Sequence, residues 1–261
     1  MPPVKSAAIV VHGKPHLVEE AVASVRAVAE RSGVELVGED AAADIAIVLG
    51  GDGTMLRALQ RYLGTGTPVI GVNFGRVGFL TAILPDELEA GVERVFRGDY
   101  AVVELPTLEL TVGGHTFPAV NDTVITSGTI GRIIELDYKV DGGEPGPLRC
   151  DGLIVSTPQG STAYNLSNGG PVLVWGIDAM VVTFVAPHSL AVRPLVVPRG
   201  PKLTVTNRTT DVATTVIVDG HPVGSLEPRE RAEVRLADRT CLLATLPEVT
   251  FFRRYAGTFG H

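Results

Sequence analysis

Hydrophobic positions in the first hundred residues follow two alternating periods. Residues 7–11 (AAIVV) are a short, β-branched apolar run, and residues 17–31 then place Val18, Ala21, Val22, Val25, Val28 and Ala29 at helical spacing until Gly33. The spacing predicts a strand followed by a helix. The same succession returns twice. Residues 44–49 (DIAIVL) run into Gly50-Gly51-Asp52-Gly53, after which Thr54 is placed to cap a helix starting at Met55. Residues 68–73 form a third strand candidate, and residues 85–96 read as a helix with Asp86 and Glu87 in its first turn. Continuous apolar strands separated by helices imply a parallel sheet covered by helices on both faces.

From about Val102 the pattern becomes that of strands. Residues 108–112, 136–140, 203–206 and 215–218 alternate or are β-branched, with Gly113-Gly114, Gly142-Gly143 and Asp219-Gly220 as hairpin turns. Helical signal is confined to residues 161–167. The aromatics of Phe251-Phe252-Arg253-Arg254-Tyr255 require a surface to cover them, either on the first domain or on another subunit. The expected fold is an α/β N-terminal domain over residues 1–100, completed by 245–261, plus a β-rich C-terminal domain over 101–244.

Composition narrows the class. The 261 residues are 45% hydrophobic and 20% charged with 30 Gly and 18 Pro, which excludes a disordered polyelectrolyte, a collagen-like repeat and a coiled coil. A formal net charge of −7 gives nucleic acid or an anionic membrane no reason to bind, so a phosphate-bearing ligand must be held locally. The most apolar window, 172–186, is shorter than the ~20 residues of a membrane helix and contains Asp178, and the start of the sequence lacks the pattern of a signal peptide. Cys150 and Cys241 have no CxxC spacing. They fit a reducing cytosol better than a disulfide scaffold, so a cytoplasmic location is expected.

Three segments could carry chemistry. In Gly50-Gly51-Asp52-Gly53-Thr54, a buried strand meets a helix, where outward N–H groups and the positive helix end receive phosphate and glycines let it come close. The loop matches neither a Walker motif nor GxGxxG. Its Asp52 would repel phosphate, which is explained if the carboxylate handles a hydroxyl proton or a metal; an ordinary Asp-Gly turn is the plain alternative. The second segment, 151–171, sets Ser156, Thr157, Ser161, Thr162, Tyr164 and Ser167 within an aromatic and apolar frame, a composition that suits either a solvated loop or a ligand pocket. The third is Asn121-Asp122, which also reads as a simple turn. The six histidines show no HExxH pair, and Gln159-Gly160-Ser161-Thr162-Ala163 lacks the GxSxG pattern of a serine nucleophile.

Taken in order, the glycine-aspartate loop, then Asn73-Phe74-Gly75-Arg76-Val77-Gly78-Phe79-Leu80-Thr81, Asn121-Asp122, and Asp151-Gly152 through Thr157-Pro158-Gln159-Gly160-Ser161-Thr162-Ala163-Tyr164 resemble NAD kinases over nearly the whole chain. The loop alone is shared with diacylglycerol-type lipid kinases and, with Ser for Thr, with phosphofructokinases; the segment from Asp151 to Tyr164 narrows the likeness. The resemblance implies a terminal segment that returns to the first domain. It implies that Asp52 is the catalytic base facing the adenosine ribose 2′-hydroxyl of NAD, and that Gly50, Gly51, Gly53 and Thr54 receive the donor phosphates. Asn121 and Asp122 would hold the nicotinamide-side ribose and Asp151 the nicotinamide end. Thr162, Ala163, Tyr164, Asn165, Leu166, Ser167 and Ala186 would line the adenine and ribose pocket, with Gly53, Arg57, Phe74 and His221 as further NAD contacts. Arg132 and Arg149 would reach in from a neighbouring subunit, or serve as ordinary surface arginines. Departures from the pattern are Asp122 for the commoner Glu, Val77 for Leu, Asn168 for a small residue and His221 for Gln.

The activity this implies is phosphoryl transfer from ATP, with inorganic polyphosphate as a further donor candidate, to NAD, giving NADP. Mg²⁺ would arrive with ATP, with no protein metal site. NAD and ATP are then the expected partners, within a homodimer or homotetramer. A lipid kinase sharing the loop, a dehydrogenase and a non-catalytic dinucleotide sensor are the competing readings; the glycine pattern is wrong for the second, and Asp52 speaks against the third.

Overall fold

The computed structural model describes residues 1–11, 15–75, 78–143 and 145–260, without the side chains of 15–17. Val77, one of the departures above, and the side chain of Leu17 lie outside the described residues. The chain divides into two compact units, Met1–Leu105 with Thr240–His261, and Pro106–Arg239.

In the first unit β1 (Ser6–Val11), α1 (Pro15–Ser32), β2 (Glu35–Val37), β3 (Ile45–Gly50), α2 (Asp52–Arg61) and β4 (Val69–Asn73) follow one another. The four strands lie in the order β2-β1-β3-β4, all parallel. Every residue of β3 and β4 is buried, as expected for strands covered on both faces. Ile45, Ile47, Leu49, Ile70 and Val72 share one core with Val25 and Val28 of α1 and with Val92 and Val95 of α3 (Leu88–Phe96), which a 3₁₀ turn at Pro85–Glu87 introduces. The opposite face takes α2: a Cβ at Gly71 would stand 2.5 Å from Met55 Sδ. The helices therefore cover both faces, as the apolar runs imply.

The second unit is built of antiparallel strands. One sheet runs β12 (Leu195–Pro198), β11 (Ala179–Val185), β10 (Gly152–Ser156), β7 (Asp122–Ser127), β14 (Thr214–Val218) and β15 (His221–Leu226). The other joins β16 (Arg231–Thr245), β13 (Leu203–Asn207), β8 (Ile134–Val140) and β9 (Pro147–Cys150), with the hairpin of β5 (Ala101–Val112) and β6 (His115–Ala119) paired to β16. Leu110, Ile134 and Leu203 meet Leu153, Val182 and Val216 in a common core. The helical signal of residues 161–167 is a 3₁₀ turn at Gly160–Thr162 followed by α4 (Tyr164–Ser167).

The turns follow their sequences with one adjustment. Gly113 and Gly114 both have positive φ, as do Asp219 and Gly220, the pattern of the tight turns that match strand twist. After β8 the left-handed pair is Asp141 (φ 48°) and Gly142 (φ 81°), one residue earlier than Gly142-Gly143, because Gly143 already bridges back to Val140. Residues 240–245 of β16 add a parallel neighbour to β4, and α5 (Phe251–Phe259) follows, its start capped by the Thr250 hydroxyl. The rings of Phe251 and Phe259 lie 5.9 and 5.6 Å from Phe79, so the aromatic tail finds its surface inside the first unit. Phe252 and Tyr255 remain exposed.

Candidate functional site

In the first unit β3 and β4 end side by side, Gly50 in register with Asn73, at the carboxyl edge where open parallel sheets bind ligands. The following helix starts earlier than the sequence suggests. Gly51 is the N-cap, and both Thr54 and Met55 donate their N–H to its carbonyl; Thr54 is a buried residue of the first turn, its side chain filling the space over Gly50. Asp52 thus occupies the first helical position, where the helix dipole favours an acid.

The Asp52 carboxylate is held on both oxygens. It accepts from the N–H of Phe79 at 2.7 Å and of Leu80 at 3.1 Å. Gly78 makes this approach possible, since a Cβ there would stand 2.2 Å from Asp52 Oδ1. The same stretch is gripped by Arg254 of α5, whose guanidinium donates to the carbonyls of Phe79, at 2.7 Å, and Thr81, and to the Thr245 hydroxyl at 3.1 Å. Burial lowers the Arg254 pKa to about 10, against the attraction of Asp52 that raises it. Gly53 differs from Gly50, where a Cβ would collide with Thr54: a Cβ at Gly53 would meet nothing within 4 Å, and its φ is not positive. Neither packing nor backbone conformation calls for glycine at this exposed position. Arg57, one turn on, is exposed, and Phe74, half-buried, donates its N–H to Gly50 O.

In the second unit Asn121 and Asp122 lie at the entry to β7, and their backbone is clamped from two sides. Asp219 takes the N–H groups of Val120 (2.7 Å), Asn121 (2.7 Å) and Asp122 (3.0 Å) on its two carboxylate oxygens. Opposite, the Thr157 hydroxyl donates to the carbonyls of Val120 and Asn121, and Gln159 Nε2 to those of Pro106 and Val120. Gly160 admits the Asn121 carbonyl to a distance no Cβ would allow. The Asn121 amide oxygen is left buried with no partner. Burial first, and the Asp219 charge second, raise the Asp122 pKa to about 7.

The hydroxyl-rich segment separates into two groups. Ser156, Thr157 and Ser161 are buried and bonded to backbone groups, so they build the frame. Thr162 is half-buried, while Tyr164 and Ser167 are exposed, with Ala163 and Leu166 half-buried beside them. Asn165 belongs to the frame as well: its amide donates to Ser161 O and Pro171 O and accepts from the Thr183 hydroxyl, and the side chain is fully buried. Ala186 is exposed at φ 44°, a left-handed conformation rare for alanine. Asp151 is exposed, its carbonyl accepting from Thr126. Arg132 and Arg149 are exposed along an open hollow of about 600 Å³ that also holds Arg208; Arg132 pairs with Asp211. His221, exposed, keeps Nδ1 3.0 Å from Asp219 O. Among the described residues, no three His, Cys, Asp or Glu side chains gather to hold a metal ion. Nor is any described helix long and apolar enough to cross a membrane.

Sequence reasoning missed three of these contributors. Asp219 read only as a hairpin turn, Gly78 only as part of a motif, and Arg254 only as a charge within an aromatic tail.

The description of the ATP-NAD kinase N-terminal domain matches residues 15–100, and that of the C-terminal domain matches residues 120–246. The NAD kinase of Gemmatimonas aurantiaca is 39% identical over 87% of this chain and 80% of its own length; that of Syntrophotalea carbinolica is 39% identical over 80% and 75%. Among solved structures, an NAD kinase from Archaeoglobus fulgidus in complex with ATP superposes with a TM-score of 0.79 at 27% identity, over 98% of this chain and 97% of that one. Yeast NADH kinase complexed with NADH shares the fold, with a TM-score of 0.85 at 21% identity over 99% and 88%. With both domains matched in order and relatives aligned along most of its length, the chain belongs to the NAD kinase family.

Proposed function

We propose that this chain transfers the terminal phosphoryl group of ATP to the 2′-hydroxyl of the adenosine ribose of NAD. A bond forms between the ribose oxygen and the γ-phosphorus, the bond from that phosphorus to the β,γ-bridging oxygen breaks, and the hydroxyl proton passes to Asp52. The products are NADP and ADP. The observation that carries this reading is the carboxylate of Asp52, oriented by two backbone N–H groups beside a glycine whose open face no packing requires. A ribose hydroxyl is a weak acid and the transition state is loose, so most of the acceleration comes from positioning and charge neutralisation. The base adds roughly 10² to 10⁴ in rate.

Gly50, Gly51, Gly53 and Thr54 receive the donor phosphates, helped by the N–H groups that a helix start leaves without intrahelical acceptors. The donor enters as its Mg²⁺ complex, the ion being part of the substrate. Asn121 and Asp122 hold the nicotinamide-side ribose, Asp151 the nicotinamide end, and Thr162, Ala163, Tyr164, Leu166, Ser167 and Ala186 the adenine and its ribose. Arg57, Phe74 and His221 are further contacts; Asn165 acts through its frame. Residues 101–244 carry most of the dinucleotide contacts. The enzyme works in the cytoplasm as a homodimer or homotetramer, with Arg132 and Arg149 serving a neighbouring copy.

The test is direct. Purified protein with NAD, ATP and Mg²⁺ should yield NADP, read by a coupled NADP-specific dehydrogenase, and replacing NAD by diacylglycerol should yield no phosphorylated lipid. NAD binding without NADP formation, or labelled diacylglycerol, would refute the proposal.

A further inference from the structure

Asp219 has no role in the chemistry above, yet it is among the most constrained side chains of the second unit. Its residue is left-handed at φ 46°, in a turn where only Asn, Asp or Gly sits easily. Both carboxylate oxygens are engaged by three consecutive backbone N–H groups, those of Val120, Asn121 and Asp122. A turn needs no such arrangement: the hairpin of Gly113-Gly114 closes on glycines alone. The three donors belong to the stretch bearing the partnerless Asn121 amide oxygen and the Asp122 carboxylate. Thr157 and Gln159 take the carbonyls of the same stretch. The polar backbone groups of the stretch are thus engaged, while the Asn121 amide oxygen, buried beside them, is an acceptor with no donor of the protein.

We propose that Asp219 is a positioning residue for the dinucleotide: its carboxylate sets the Asn121-Asp122 backbone so that these two side chains meet the hydroxyl groups of a ribose. The proposal rests on the NAD kinase reading for the identity of that ribose. Asp219 touches no substrate and acts through the three N–H groups. Its charge has a second effect. Burial first, and this charge second, raise the pH at which Asp122 ionises to about 7. Around Asp122, His221 shares the turn of Asp219, and Ser156, opposite on β10, carries no charge.

Two variants separate position from charge. Asp219→Asn keeps the left-handed turn, and its amide oxygen can still receive two of the three N–H groups, but the charge is gone. The KM for NAD should rise at least about tenfold with a smaller change in kcat, and the low-pH limb of kcat/KM for NAD should move about one pH unit to acid. Asp219→Glu keeps the charge but displaces the oxygens by a methylene; KM should rise while the limb stays in place. Binding of NAD is measured by calorimetry in parallel. A wild type that binds NAD without making NADP would overturn the kinase reading and leave the positioning test intact in the binding data. An Asp219→Asn protein with unchanged NAD affinity, or one weakened equally at every pH with its limb unmoved, would overturn the proposal. Should that variant fail to fold, Asp219→Glu decides: wild-type affinity in it would overturn the assignment.

Discussion

Gly53→Ala should make the protein more stable and the enzyme worse. Gly53 is the second residue of α2, its φ is not in the left-handed region, and a Cβ would meet no atom within 4 Å, so the methyl group costs no contact. Replacing glycine by alanine within a helix gains about 0.5–1 kcal/mol, through helix propensity and a less mobile unfolded chain. A position in the first turn takes the low end of that range. For a chain of this size the gain appears as a rise of about 1–3 °C in Tm. The same methyl group occupies the open side of the loop, where a phosphate or ribose oxygen would approach the N–H groups at the start of the helix. Losing one charge-assisted hydrogen bond there costs about 1.5–3 kcal/mol, or roughly 10- to 100-fold in kcat/KM. The assay pairs scanning calorimetry of the unliganded protein with coupled NADP production. Full activity in the variant would show that no substrate uses that face, and a lower Tm would show that the glycine serves the fold.

Asp52→Asn should lower kcat by at least about 10² while NAD affinity stays within a few-fold, but it should also lower Tm, because an amide –NH₂ must face one of the N–H groups of Phe79 and Leu80; equal losses in binding and rate would mark the residue as structural. Gly78→Ala puts a Cβ 2.2 Å from the Asp52 carboxylate and should cut kcat about as deeply, an expectation that wild-type turnover would defeat. Asp122→Asn should be more stable than wild type by a margin that depends on pH. The native state keeps a proton up to about pH 7 that the unfolded chain releases near 3.8, so the Asp122 penalty grows as pH rises between those values and is complete above them, with a ceiling of roughly 4 kcal/mol. Denaturant titrations at pH 4, 6 and 8 read this margin; a constant or shrinking difference contradicts it. Arg254→Met should cost about 2–4 kcal/mol of stability by stranding the Phe79 and Thr81 carbonyls, and kcat should fall more than NAD affinity; a variant with wild-type Tm and kcat would separate α5 from Asp52.

The elements most legible in the sequence are those whose burial is uniform. Every residue of β3 is apolar or glycine and every one is buried, so the run of residues 44–49 announces a central parallel strand. Glycine pairs and Asp-Gly mark the hairpins because left-handed φ is a local demand. The fifteen residues of β16 were harder to see, since exposed Arg235 and Asp238 and buried Leu236 and Ala237 break its alternation. The α5 helix was hidden because an aromatic run carries strand and helix signals alike. Chemistry divided along the same line. Asp52 stands out as an acid among glycines, whereas the hydroxyls of Ser156, Thr157 and Ser161 look no different in sequence from those of Thr162 and Ser167, and only their partners separate frame from surface. Asp219 and Arg254 act on backbone groups 97–99 and 173–175 residues away, a distance no local pattern records.

The first unit is assembled from two stretches of chain with more than a hundred residues of the second unit between them. A nascent polypeptide on the ribosome therefore carries the glycine-aspartate loop long before Arg254 has been made. Until the later stretch emerges and docks, the carbonyls of Phe79 and Thr81 have no guanidinium to meet, and the segment that aims Asp52 is not yet braced. The contacts that hold the Phe79–Thr81 segment, and with it the Asp52 carboxylate, are therefore completed only when the last residues of the first unit have been synthesised.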